Sequence, residues 1–136
     1  MSFETARVAI TTKVKALAAT WSQYTLEVEY DNRNLVNWGT QTNPYLSVEI
    51  MGIGGEQASL GPNSNHRIYG SVILTAWVHR GSGDKAANDL LEHFYPEMHM
   101  SDAMPPVRTQ AARLVNAKPA KDWVGRSAVI PFWCDN

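Results

Sequence analysis

Residues 52–62, GIGGEQASLGP, gather four glycines with Glu56, Gln57 and Ser59. Glycine-rich turns can cradle phosphate on backbone N–H groups, and a serine beside an acid can serve acyl transfer. The spacing supports neither. A phosphate loop needs GxxxxGK and then Ser or Thr opening a helix. Here Gly61 is followed by Pro62 and by NSNHR, which leads into a strand pattern. A dinucleotide fingerprint needs GxG between a strand and a helix. Ser59 stands in ASLG and not in the GxSxG elbow of hydrolases.

The other chemistry-bearing residues are equally scattered. The four histidines, His66, His79, His93 and His99, form neither HExxH nor HxH. Met98, His99 and Met100 are a soft-ligand trio of the kind that suits copper(I), but they lack a partner cluster. Two methionines packing on a core, in a loop after a helix, are the stronger explanation. His93 lies near Glu92 and Glu97 and reads as an exposed helix residue. Cys134 has no evident base, which a nucleophile requires. Glu27 and Glu29 share one strand face, and Glu49 stands on a neighbouring strand. Three carboxylates on one face could serve glycosidic or metal chemistry. A solvated face, or one turned to an acidic lumen, is the more common arrangement. We therefore expect no catalytic residue, no cofactor and no metal. A small hydrolase or metal-binding protein remains a remote alternative, which would need a tight pocket with a shifted His or carboxylate pKa.

The elements that position these residues follow from periodicity. Phe3, Ala6, Ile10, Val14 and Leu17 recur at helical spacing and predict a helix over 3–19. Residues 24–30, YTLEVEY, alternate and predict a strand with Leu26, Val28 and Tyr30 on one face. A long loop over 31–44 follows, carrying Trp38, and then a strand over 45–51 with Leu46, Val48 and Ile50 inward. Residues 66–80 predict the longest strand. Ile68, Val72, Leu74, Ala76 and Val78 face one way, and Tyr69, Ile73 and Trp77 the other. A strand apolar on both sides is central in a sheet or is covered by another chain. Asp84 caps a second helix built on Ala87, Leu90, Leu91, Phe94 and Tyr95, which Pro96 ends. Strands over 107–117 and 123–134 form a hairpin through KPAKD. The order α-β-β-β-α-β-β implies an α+β fold. Its sheet of about five strands is mostly antiparallel, because sequence neighbours pair, and two helices lie on one face.

The chain of 136 residues suits one domain spanning 1–136. A hydrophobic share of 44% supports a core that needs no staple. The single cysteine excludes an intrachain disulfide and fits a reducing compartment. Net charge is −1 with Lys and Arg dispersed, which argues against a dedicated nucleic-acid binder. No apolar run approaches the roughly 20 residues of a membrane helix, and the N-terminus lacks a signal-peptide layout, so synthesis in the cytoplasm and no membrane partner are expected.

Several segments stand in a fixed order: Tyr45, Leu46 and Val48; Gly55, Glu56, Gln57, Ser59, Leu60 and Gly61; Arg67, Gly70, Val78, Gly81 and Gly83; and Pro131 with Phe132. Together they resemble the small tail proteins of long-tailed phages and prophages, the tail terminator or tail completion family. The likeness covers most of the chain and departs from the family pattern over 31–44 and 97–106. It implies a structural virion protein of lambda-like type, located at the neck end of the tail. Copies would form a six-membered ring on the finished tube, stop polymerisation of the major tail protein and offer a surface to neck or head-completion proteins. DNA would pass through without specific binding. A neck or head-completion ring protein is the alternative within the same assembly. On this reading Gly54, Gly55, Glu56, Gln57, Ser59, Leu60, Gly61 and Trp38 are expected at the subunit or tube interface. Glu27, Glu29 and Glu49 are expected to line the lumen.

Overall fold

A computed structural model describes residues 3–30, 41, 43–57, 66–81, 83–101, 104–117, 119 and 122–135. Helix α1 (Phe3–Ala19) is followed by β1 (Val28–Tyr30), β2 (Tyr45–Gln57) and β3 (His66–His79). Then come α2 (Lys85–Met98), β4 (Val107–Thr109), β5 (Arg113–Asn116) and β6 (Trp123–Asp135). The fold is α+β. Six strands form one sheet in the order β1-β2-β3-β6-β4, and β5 also pairs with β6.

The sheet is mixed. β2–β3, β3–β6, β4–β6 and β5–β6 are antiparallel, whereas β1 runs parallel to β2. Fourteen residues, 31–44, separate these two strands (45 − 30 − 1 = 14). A parallel pair needs a connection of about a dozen residues or more, and a tight hairpin would have forced the antiparallel arrangement. The length of that segment is therefore the sequence counterpart of the parallel pairing.

Both helices cover the same face of the sheet. Ala6, Ile10 and Val14 of α1 and Ala87, Leu90, Leu91, Phe94 and Met98 of α2 are buried. They share one core with Leu46, Val48 and Ile50, with Val72, Leu74, Ala76 and Val78, and with Ala128, Ile130, Phe132 and Cys134. Strand side chains alternate between faces, so these even-numbered residues leave the odd-numbered ones on the opposite face.

Four expected boundaries move. The strand expected over 24–30 is only Val28–Tyr30. Its partner β2 begins at Tyr45, after Pro44, so residues 24–26 have no strand to pair with. Glu27 is thereby placed ahead of the strand, where its carbonyl accepts from Leu46 N–H at 3.1 Å. The strand expected over 45–51 runs on to Gln57 through the glycines, with a bulge between Gly52 and Gly54. Pro96 does not end α2. It lies in the last turn and sacrifices one hydrogen bond, while Met98 stays anchored in the core and His99 N–H caps onto Tyr95 O. The single strand expected over 107–117 is two short ones, β4 and β5, lying in succession along β6. Gln110 between them sends its N–H to Pro131 O at 2.9 Å. No described helix is long and apolar enough to cross a membrane.

Candidate functional site

The residues that could have carried chemistry do not converge. Met98 is fully buried and Met100 is 72% exposed, while His99 Nδ1 accepts from Ala112 N–H at 3.1 Å. The trio is divided between core, backbone and solvent. Among the described residues no group of three His, Cys, Asp or Glu could hold a metal ion. Cys134 is buried in β6, opposite Ile68 and Val107.

His93 is not the exposed residue expected from its neighbours. Its Nε2 lies 2.8 Å from Leu17 O and 2.8 Å from Thr20 Oγ1, and its ring meets Trp21 edge to face at 5.1 Å. A carbonyl only accepts, so Nε2 carries the proton and donates to it. This ties α2 to the C-terminal end of α1. The acidic neighbours Glu92 and Glu97 concealed the role, because the partner is a backbone carbonyl 76 residues away.

The sheet face away from the helices is the arrangement of interest. At one end, Tyr45, Trp77 and Trp123 form a second apolar cluster. Tyr45 stacks on Trp77 at 6.4 Å and meets Trp123 edge to face at 5.1 Å, and His79 stacks on Trp123 at 4.0 Å. Trp77 Nε1 donates to Ser47 Oγ at 2.9 Å. Burial, and the charge of Glu29, push the Tyr45 hydroxyl well above its ordinary range. The next row holds a buried hydrogen bond of 2.8 Å between Thr75 and Ser127.

Above it, register aligns four residues from four strands on one face. Glu49 pairs with Ile73, Ile73 with Val129, and Val129 with Arg113. Glu29 pairs with Ser47 and so lies on the same face as Glu49, one strand outward. Arg108 pairs with Trp133, placing it on the flank that carries Arg113. The face therefore has an acidic flank on β1–β2, an aliphatic centre on β3–β6 and a basic flank on β4–β5. The face that holds Glu29 and Glu49 thus carries both signs of charge. Arg108 and Arg113 escaped the sequence reading because the break between β4 and β5 resets the alternation that a single strand over 107–117 would have had.

The expected interface residues are only partly located. Gly54, Gly55, Glu56 and Gln57 form the end of β2, paired with Tyr69, Ile68, Arg67 and His66. Ser59, Leu60, Gly61 and Trp38 lie outside the described residues. An open groove of about 760 Å³ runs between the end of α1 and β1, lined by Lys15, Trp21, Tyr24, Leu26, Val28 and Tyr30 among others. A second, of about 610 Å³, lies beside β4 with Met100, Arg108, Gln110 and Trp133 in its walls. Burial raises the Tyr24 and Tyr30 hydroxyls. The feature with the most organisation is the flanked sheet face, which is suited to contact with a surface.

No family model matches the chain, and no curated protein does. The chain is similar to a solved structure whose name states no function. The likeness covers 100% of this chain and 96% of that one, with a TM-score of 0.70 at 13% identity. At that identity the likeness concerns the fold: the whole α+β arrangement described above is one that another protein also adopts.

Proposed function

We propose that this chain is a structural protein of a phage tail, a terminator that assembles as a ring on the end of the tail tube. The ring stops addition of the major tail protein and presents a surface to the neck. The observation that carries this reading is where the resembling segments fall. They lie largely on β2, β3 and β6, three strands hydrogen-bonded side by side. Residues scattered over the sequence thus belong to one continuous sheet, whose face away from the helices is apolar in the middle and charged at its flanks. Such a surface suits repeated contact between large bodies better than enclosure of a small ligand. A ring formed by rotation uses two different patches on each copy, and the two flanks of this face differ in charge.

The test is to add the purified chain to growing tail tubes and image them. Rings at one tube end and arrested elongation are expected. Unchanged tube length, or binding all along the tube wall, would overturn the assignment. Binding to the head connector in place of the tube would move the protein to the neck.

A further inference from the structure

We propose that neighbouring copies of this chain join head to tail through the flanks of the sheet face away from the helices, the acidic β1–β2 flank of one copy against the basic β4–β5 flank of the next. The inference rests on the ring reading and names the contact that builds it. Glu49 and Arg113 are exposed on the same cross-sheet row, with Ile73 and Val129 between them. Three inter-strand steps separate them, about 14 Å at the usual strand spacing. The two side chains cannot meet across that distance within one copy. Among the described residues, neither has an ion-pair partner. A second copy placed beside the first, by rotation about an axis parallel to the strands, sets one flank against the other. Glu49 then opposes Arg113 at every junction, and the same contact repeats around the ring.

Two further observations fit this occupant. Met51, two residues along β2 from Glu49 and on the same face, is 48% exposed. Apolar area is thus available beside the acidic charge where the copies would meet. The strands at both flanks are short, three residues in β1 and β4 and four in β5. Short edge strands disfavour indiscriminate backbone pairing and leave partner choice to side chains. Exposed ion pairs supply little affinity individually, but opposed like charges are strongly rejected, so this pattern selects head-to-tail over head-to-head contact.

The experiment uses the full chain and engineered cysteines, with the parent chain and its buried Cys134 as control. Glu49→Cys and Arg113→Cys both replace exposed side chains, and circular dichroism checks that each variant folds. Mixed and mildly oxidised at high concentration, the two single variants should yield a covalent heterodimer, while neither should cross-link through its new cysteine alone. The double variant should yield a ladder of products that ends at ring size. Absence of a 49–113 cross-link overturns the proposal. So does a double variant that stops at two chains, the product of a two-fold, face-to-face pair. In parallel, Glu49→Arg should weaken self-association by about tenfold or more, and mixing with Arg113→Glu should restore it; failure to restore also counts against the contact. Tube-end binding without the cross-link would sink this contact and keep the tail reading. A ladder without tube binding would do the reverse.

Discussion

Gly70 stands where β2, β3 and β6 lie side by side, paired with Gly52 on one strand and Phe132 on the other. A methyl group there would collide with Met51 O and with Phe132 Cζ. The carbonyl belongs to a hydrogen-bonded strand and cannot retreat without breaking the ladder. Gly70→Ala should therefore cost about 3 kcal/mol, at the upper end of overpacking effects. A lowered urea midpoint with an unchanged slope is the expected signature. Tyr45 makes a different prediction. Burial and Glu29 raise its hydroxyl pKa, so the folded chain holds that proton more tightly than the unfolded chain, where the value is 10.0. Stability from this group is full below about pH 10 and is lost as pH climbs past it. Tyr24 and Tyr30 act in the same direction. Tyr45→Phe should flatten the alkaline fall in unfolding free energy between about pH 9.5 and 11. An unchanged slope would assign that fall to the other tyrosines.

The helices were the most legible elements, because a 3.6-residue stripe is written locally. The helix expected over 3–19 is α1 to the residue, and Ala6, Ile10 and Val14 are its buried stripe. The two-sided apolar pattern of β3 was equally readable, with Trp77 in the second cluster. What could not be read locally was pairing. Nothing within YTLEVEY says that only its last three residues find a partner, or that the partner is parallel. Nothing within VRTQAARLVNA marks the break that turns Arg113 onto the face of Glu49. Of the interface residues expected in the glycine-rich stretch, Gly54 to Gln57 are ladder residues, so deleting 54–61 as if it were a loose loop would destroy strand register. A better-aimed change keeps the ladder. Gln57 and His66 are directly opposite, and a two-residue Asn-Gly turn closes such a pair. Replacing residues 58–65 with Asn-Gly should leave the fold intact, with a melting temperature within a few degrees of the parent, about 1 kcal/mol or less. It should also abolish binding to the tube end. Retained binding by a folded variant would remove this connection from the interface.

At the scale of the molecule, folding and assembly draw on different forces, and salt separates them. The fold rests on one large apolar core between helices and sheet and a smaller aromatic cluster on the far face. Glu4–Arg7 and Lys85–Asp89 are ion pairs between neighbours within single helices. The Glu4 carboxyl is held below its usual range, first by its hydrogen bond from Arg7, yet the group is fully exposed and so adds little to stability. Raising salt from about 0.05 to 0.5 M shortens the screening length from roughly 14 to 4 Å. The melting temperature of the monomer should then move by no more than a degree or two, since apolar burial is not screened and sodium chloride is a weak perturbant. Head-to-tail contact between Glu49 and Arg113 flanks should weaken several-fold over the same range, because its charges sit at an exposed rim. Calorimetry and sedimentation on the same samples would read both quantities. Self-association that is indifferent to salt would mean that the apolar centre of the face carries the contact alone, and the flanks would then have no part in choosing the neighbour.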